Sequence, residues 1–266
     1  MSVFRGNIDN WLRQCEPDYY SFFLRAWIPF NAWYVAEMPQ HNKKDRLLIK
    51  ELQENMNSRP RLRIQGLLTN DDYESENFKY HLSLLHYNLE KKNVSHDGKK
   101  LSFCSITLTD NPVKHSSKVD KKSNRYKAEV QNTYYEALIV AQNGKTLMHY
   151  KHPGFDIEHL RRHIKFIGLA DKKIQEIIAE CYANIDPNKP TNLVTNSKKK
   201  GDYIFLNSDQ PAKFVNDQIT IGKAIIGVLY MLRCMLFHGE IDPTDSNKVL
   251  YEHSYYLLRL ILKDLN

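Results

Sequence analysis

The sequence predicts a mainly α protein: a helical bundle formed by the two ends of the chain, with an α+β insertion that holds a small antiparallel sheet. In both terminal thirds, large apolar residues recur at three- and four-residue steps, which is typical of amphipathic helices. Between them lie segments rich in aromatic and β-branched residues, together with Asn143-Gly144, a short-hairpin signal. We therefore predict a bundle from residues 1–90 and 203–266, and an insertion from 91–202.

Three helices are predicted in the N-terminal third. The first runs from Tyr19 to Ala36 with Asp18 as a possible N-cap. Pro29 is expected to kink or interrupt it, because proline lacks the N–H that an inner helical turn needs. The second is predicted from about Asp45 to Met56. The third is predicted from about Asp71 to Leu89, where an acidic cluster suits the positive end of the helix dipole.

The middle of the chain is expected to form the sheet and two short helices. Alternation predicts a strand at 101–109, and aromatic and β-branched residues predict strands at 125–130 and 134–140. The hairpin signal Asn143-Gly144 predicts a further strand at 145–150. Short helices are predicted near 156–165 and 171–183. The segment 186–202, rich in Pro, Asn and Lys, predicts a loop.

The C-terminal third is predicted to hold the central helix of the bundle. Residues 218–237 are apolar nearly all round, and either Asn216 or Asp217 can cap their start. Gly239 is expected to end this helix. A final helix is predicted from about Ser246 to Asp264, with its apolar residues on one face.

Composition excludes several classes of protein. The chain has 266 residues, of which 42% are hydrophobic and 26% charged, so collagen-like, disordered and disulfide-scaffold proteins are excluded. No run reaches the roughly 18 apolar residues of a membrane helix, and the first ten residues lack a secretory signal. We therefore expect a cytoplasmic protein without a membrane partner. Widely spaced cysteines argue against a zinc site and against disulfides: Cys15, Cys104, Cys181 and Cys234.

The positive charge is concentrated in the middle of the chain. The whole chain carries a net charge of +7, whereas residues 91–200 hold 21 Lys and Arg against 11 Asp and Glu, or +10. Tyrosines are interleaved with these basic residues, a mixture that suits phosphate contacts and base stacking. Solvated loops are the alternative interpretation. The residues that we expect to contact RNA are Lys121, Lys122, Arg125 and Lys127.

Arg233 is a charged residue within the otherwise apolar central helix, and its guanidinium therefore needs an anionic or polar partner. A buried, unpaired guanidinium costs several kcal/mol, so it either pairs internally or faces a site. His238 follows at the helix end, where the dipole favours a protonated imidazole. At about 100° per residue the two side chains point about 140° apart. Convergence on one ligand therefore requires unwinding at Gly239 or a second copy of the helix.

The segment Arg233–Gly239, Arg-Cys-Met-Leu-Phe-His-Gly, resembles the R-x4-6-H motif of the HEPN superfamily of ribonucleases. The stretch Trp27–Tyr34 is similar to the FN-x-W/Y first helix of the Apea-like branch of that superfamily. The resemblance covers roughly residues 19–90 and 203–266. It implies a bundle that forms a homodimer through a two-fold axis, and metal-independent cleavage of RNA without a cofactor.

The resemblance also implies roles for individual residues. His238 would act as general base or acid, and Arg233 would stabilise the charge that develops on the phosphorane. Asn31 would line the cleft beside them, or alternatively satisfy the carbonyls freed by Pro29. The biology suggested is bacterial defence or a toxin system, with an antitoxin or regulatory partner left unidentified.

The motif departs from the family pattern at two positions. Cys234 stands where Asn, Asp or His commonly follows the motif arginine, and a thiol is a weak hydrogen-bonding group, so it either supports the site weakly or belongs to the core. Glu240 stands where one toxin branch has a modified tyrosine, so that regulation is not carried over. The alternative function is a non-catalytic HEPN module that binds a nucleotide, RNA or protein. The alternative for Arg233 and His238 is an internal ion pair and a helix-capping histidine.

Overall fold

The computed structural model describes residues 8, 15–38, 44–96, 98–108, 111–208 and 211–265 and divides the chain into two compact units. Unit 1 comprises residues 1–108 and 191–266, and unit 2 comprises residues 109–190. Unit 1 is mainly helical, and unit 2 holds a four-stranded antiparallel sheet. The predicted fold class, mainly α with a sheet-containing insertion, is confirmed at this level.

The elements are numbered here in chain order. They are α1 (Tyr19–Glu37), α2 (Asp45–Glu54), α3 (Arg59–Thr69), α4 (Tyr73–Lys92), β1 (Ser95–His96), β2 (Lys99–Lys100), β3 (His115–Val119), β4 (Arg125–Gln131), β5 (Tyr134–Val140), β6 (Thr146–Pro153), α5 (Ile157–Arg162), α6 (Ile164–Ile167), α7 (Lys172–Asn184), β7 (Tyr203–Phe205), β8 (Lys213–Val215), α8 (Gln218–Phe237) and α9 (Asp245–Leu262).

Helix α8 lies in the core of unit 1, as its all-round apolar sequence predicted. The Asp217 side chain caps it by accepting from the Thr220 N–H, and Gly239 follows its end with a φ of 65°. By length and composition α8 could cross a membrane, but 61% of its apolar window is buried inside the structure, as in the core helix of a soluble protein. Its fully buried residues include Ile225, Leu229 and Leu232.

Helix α1 is continuous through Pro29, so the predicted interruption does not occur. Pro29 is exposed, and α1 packs against α9 through contacts such as Phe23 with Tyr251, whose ring centroids are 5.6 Å apart. Burial of the opposite face holds the helix together on both sides of the proline. Helix α3 was not predicted; Pro60 stands in its first turn, where the missing N–H costs nothing.

The predicted strand at 101–109 is wrong for the residues described there. Residues 103–105 form a turn and a bend, and a single bridge pairs Ile106 with Thr191. Leu101 and Phe103 are buried in the same core as the helices. The alternation of apolar residues at 101–109 therefore reflects packing against the helices. Residues 91–108 and 191–202 belong to unit 1, so the insertion is shorter than predicted.

Unit 2 is built on a sheet with strand order β3-β4-β5-β6, all antiparallel. The predicted hairpin is confirmed: Asn143 and Gly144 join β5 to β6, and Gly144 has a φ of 84° that suits glycine. Helix α7 packs on this sheet. The helix predicted at 156–165 is two short helices, α5 and α6, divided at His163. Strand β3 was not predicted, because its side chains are mostly exposed and polar.

Candidate functional site

The Arg233 guanidinium lies near the end of α8 and is partly exposed, at 23% of its side-chain surface. Its Nη1 atom is 3.4 Å from Oδ2 of Asp45, the first residue of α2. One turn further along α8, the Phe237 ring centroid lies 4.4 Å from Cζ of Arg233, a cation–π distance. Among the described residues, Arg233 Nε is buried without a hydrogen-bond partner. The guanidinium thus lies between the Asp45 carboxylate and the Phe237 ring, and its buried Nε donor makes no hydrogen bond within the described residues.

Asp45 is also the centre of a small polar network. The Tyr34 hydroxyl and the Asn31 amide both donate to its Oδ1 atom, the latter over 3.4 Å, and the Asn31 amide also donates to Tyr34. Burial, and then the hydrogen bond to the Asp45 carboxylate, raises the pKa of the Tyr34 hydroxyl, which therefore stays protonated near neutral pH. The structure thus places Asn31 beside the ionic partner of Arg233.

Sequence reasoning missed Asp45 as a site residue. At the first position of a helix, an acidic residue is explained by the helix dipole alone, so no local signal separated Asp45 from an ordinary helix start.

Cys234 packs in the core beside the arginine. It is 7% exposed, and its sulfur lies 4.0 Å from Arg233 Nη1. Burial, and then a hydrogen bond with Cys234, raises the pKa of the Tyr230 hydroxyl. The Tyr230 hydroxyl therefore stays protonated near neutral pH, and it lies with Cys234 on the inner side of the guanidinium.

His238 caps the C-terminus of α8 and is exposed. Its backbone N–H donates to the Cys234 carbonyl over 2.9 Å. Within the described part of the chain, no hydrogen bond or ion pair joins the His238 imidazole to Arg233 or Asp45. Two residues on, Glu240 Oε2 lies 2.6 Å from Nδ1 of His96. A single chain therefore presents Arg233 and His238 at the same helix end without joining them.

The four expected RNA-contacting residues all lie in unit 2, at the β3–β4 turn and along β4. Lys121, Lys122 and Arg125 are exposed, whereas Lys127 Nζ pairs with Glu129 over 2.7 Å. The turn is shaped by Asp120, which accepts hydrogen bonds from Lys122 N–H and from other turn residues. Although burial opposes it, hydrogen bonds from neighbouring side chains lower the pKa of Asp120 to about 2.

Less than half of the positive charge predicted for the insertion lies in unit 2. Residues 109–190 hold 14 Lys and Arg against 10 Asp and Glu, a net charge of +4 out of the +10 carried by residues 91–200. The remaining excess comes from 91–108 and 191–200, which belong to unit 1. The basic character is therefore shared between the two units.

No family model, curated protein sequence or solved structure matches this chain.

The structure brings together three of the expected site residues, Arg233, Cys234 and Asn31, and adds Asp45 and Tyr34 to them. It leaves His238 exposed at the adjoining helix end.

Proposed function

We propose that this protein is a metal-independent endoribonuclease whose active site combines Arg233 and His238 from two copies of the chain. The observation that supports it best is the Arg233 guanidinium, which is oriented by Asp45 and Phe237 yet still partly exposed, at the helix end that also presents His238. A planar fork of donors at the surface is suited to phosphate oxygens. An exposed imidazole can both accept and donate a proton at a substrate, as a general acid or base requires.

The reaction would use the RNA's own 2′-hydroxyl as nucleophile. One His238 removes the 2′-hydroxyl proton as the 2′-oxygen bonds to the adjacent phosphorus, and the P–O5′ bond breaks. The partner subunit's His238 donates a proton to the departing 5′-oxygen. The products are a 2′,3′-cyclic phosphate end and a 5′-hydroxyl end, so protons and electrons balance. Arg233 stabilises the extra negative charge on the phosphorane oxygens.

Pairing of two copies would supply the geometry that one chain lacks. Exposed apolar side chains lie on the two helices that carry Arg233 and Asn31: Phe237 on α8 is 60% exposed and Ile28 on α1 is 68% exposed. Val35 is also exposed and lies seven residues after Ile28, on the same face of α1. A two-fold interface over this face would bury these residues and set the two copies of His238 near each other.

A second candidate function is supported by the ion pair itself. Asp45 already pairs with Arg233, and Asn31 and Tyr34 both donate to its other carboxylate oxygen, Oδ1. A guanidinium with its charge satisfied internally fits a structural role in a non-catalytic module that binds RNA, a nucleotide or a protein partner. In the catalytic proposal, the phosphate displaces or shares the Asp45 carboxylate.

The deciding experiment is cleavage of a mixed RNA pool in EDTA by the parent chain and by Arg233→Ala and His238→Ala variants. We expect the parent to cleave and leave cyclic phosphate ends. His238→Ala should lower the single-turnover rate by roughly 10²- to 10⁴-fold, and Arg233→Ala by about 10²- to 10³-fold. Arg259→Ala, at an exposed arginine near the end of α9, is the matched control and should cleave as the parent does.

Two results would contradict the nuclease proposal. One is activity that disappears in EDTA and returns with magnesium. The other is a His238→Ala variant that cleaves at the parent rate once RNA is saturating. If the parent protein binds RNA but neither the parent nor any variant cleaves it, the result would support the non-catalytic module instead.

A further inference from the structure

A second group of chemically versatile side chains lies in unit 1, apart from the Arg233 network. His86 and Glu90 are four residues apart on α4 and so share one face of that helix. Cys104 lies in the turn after β2. A ring nitrogen of His86, a carboxylate oxygen of Glu90 and the sulfur of Cys104 all lie within 4.8 Å of one another.

His86 is held in place without a hydrogen bond to its inward nitrogen. Its side chain is 12% exposed, and the buried Nδ1 atom lies 4.0 Å from Glu90 Oε1 but has no hydrogen-bond partner among the described residues. The rings of Phe103 and Phe214 pack edge-on against the imidazole, with centroids 6.1 and 5.5 Å away. Burial lowers the pKa of His86, so that near pH 7 the imidazole is neutral and offers a lone pair. A buried acceptor without a partner costs free energy that a ligand would recover.

We propose that His86, Glu90 and Cys104 bind a divalent transition-metal ion of the zinc type. One nitrogen, one oxygen and one sulfur donor suit Zn²⁺, whereas Mg²⁺ and Ca²⁺ prefer oxygen alone. With metal–ligand bonds of roughly 2.0 to 2.3 Å in a tetrahedron, the ligand atoms stand about 3.5 Å apart. Each distance between ligand atoms therefore has to shorten by at most about 1.3 Å, which rotamer adjustments of Glu90 and Cys104 can supply.

The fourth coordination position would open into a cavity. His86 and Glu90 line a cavity of about 380 Å³ in unit 1. Two lysines, Lys198 and Lys213, also line it, together with Thr195 and Asn196. A water molecule or a small anion would therefore complete the tetrahedron, the arrangement of three protein ligands and one exchangeable ligand that zinc adopts when it is not fully enclosed.

Two neighbours of Glu90 affect the proposed site: Ser102 supports it, and the Lys100 ammonium competes with the metal ion for the carboxylate. Ser102 Oγ donates to Glu90 and accepts the Cys104 N–H over 2.9 Å, so it links the carboxylate to the cysteine. Lys100 Nζ lies 2.6 Å from the other carboxylate oxygen. Although burial opposes it, these two donors hold the pKa of Glu90 below its usual value. The Lys100 side chain is 39% exposed, so it can turn to solvent when a cation takes its place.

The test is metal binding by the purified full chain, after removal of bound ions with a chelator. Calorimetry with Zn²⁺ should show one ion per chain, and Co²⁺ should give a thiolate-to-cobalt charge-transfer band. Cys104→Ser should weaken Zn²⁺ binding by more than about 100-fold, because loss of even a supporting residue costs 10- to 100-fold, and should remove the band. Cys15→Ser, at an exposed cysteine, is the matched control and should bind as the parent does.

A further variant, at Lys100, tests whether Glu90 is a metal ligand and leaves the Glu90 side chain in place. Lys100→Gln eliminates the competing ammonium and should bind Zn²⁺ more tightly than the parent. Binding by Lys100→Gln that is no tighter would remove Glu90 from the site and overturn the three-residue proposal. So would a Cys104→Ser variant with the parent's affinity, or a parent that binds no Zn²⁺ at micromolar concentration. The site is independent of RNA cleavage, so Cys104→Ser should behave as the parent does in the cleavage assay, and the Zn²⁺ binding results stand even if neither protein cleaves RNA.

Discussion

The Arg233 guanidinium and the Asp45 carboxylate form an ion pair, Nη1 to Oδ2, over 3.4 Å between the end of α8 and the start of α2. Both side chains are partly exposed, so the pair contributes only about 1 kcal/mol or less to stability. A phosphate group that approaches from solvent competes for the guanidinium with Asp45, whose Oδ2 atom is buried and makes no hydrogen bond within the described residues. The ion pair fits a guanidinium that is positioned in the free protein and released to a ligand.

Asp45→Asn tests this competition. The amide keeps an oxygen that can accept the Tyr34 hydrogen bond but removes the negative charge that holds Arg233. We expect tighter RNA binding, a steeper salt dependence of binding, and a melting temperature within a few degrees of the parent. Tighter binding should disappear in the Asp45→Asn/Arg233→Ala double variant. If Asp45→Asn unfolds the protein or leaves RNA binding unchanged, the ion pair is structural.

The exposed face of α1 is expected to mediate self-association. Ile28→Glu places a charge in the proposed two-fold interface and should weaken the dimer by tenfold or more in light scattering. Cleavage per chain should fall at low protein concentration, because each site needs both subunits. Ile164→Glu, at an even more exposed isoleucine in unit 2, is the control and should stay dimeric. A parent protein that is monomeric at micromolar concentration and fully active would rule out the composite site.

The basic residues of the β3–β4 region are expected to affect RNA binding and leave the chemical step intact. Changing Lys121, Lys122 and Arg125 to Gln should weaken binding to all sequences and reduce the salt slope by about 0.7 per lost contact. Lys127→Gln should have the smallest effect, because Glu129 already pairs with Lys127. Single-turnover rates at saturating RNA should match the parent.

Lys172→Gln with Lys173→Gln serves as the control for the β3–β4 variants, since it removes two exposed charges at the start of α7. An equal loss of RNA binding in this control would show that the effect is one of net charge, without a specific contact surface.

A buried histidine pair should make the stability of unit 1 depend on pH. Nδ1 of His81 lies 3.0 Å from Nδ1 of His253, and burial lowers the pKa of each to about 4. The same groups titrate near 6.5 when unfolded, so between these values the unfolded chain binds more protons. Stability should be fully present above pH 6.5 and fall as the pH drops towards 4.

Melting temperatures measured from pH 7.5 to 4.5 check this dependence. His253→Gln should flatten the decline, because one of the two neutral histidines no longer titrates in the unfolded chain. His149→Gln, at a half-exposed histidine in unit 2, should leave the parent's slope unchanged. An equally steep decline in His253→Gln would assign the pH dependence to other groups.

Elements whose signals are local could be predicted from the amino-acid sequence alone. The bounds of α8, Gln218–Phe237, follow from an apolar run between a capping aspartate and a glycine. The β5–β6 hairpin follows from Asn143-Gly144 between two β-rich segments. Each signal involves residues within a few positions of one another, and the backbone conformation that they favour survives in the folded chain.

Contacts between residues that are distant in the chain depend on the folded packing and could not be predicted from the sequence. Apolar and polar residues alternate around Phe103 as they do in a strand, yet Phe103 lies in a turn and is buried against the helices. Packing against a helix surface can produce the same alternating pattern. The Asp45 partner of Arg233 and the approach of Cys104 to His86 and Glu90 depend on how helices and loops pack. No local propensity encodes such pairings, since their free energy comes from contacts between segments that are far apart in the chain.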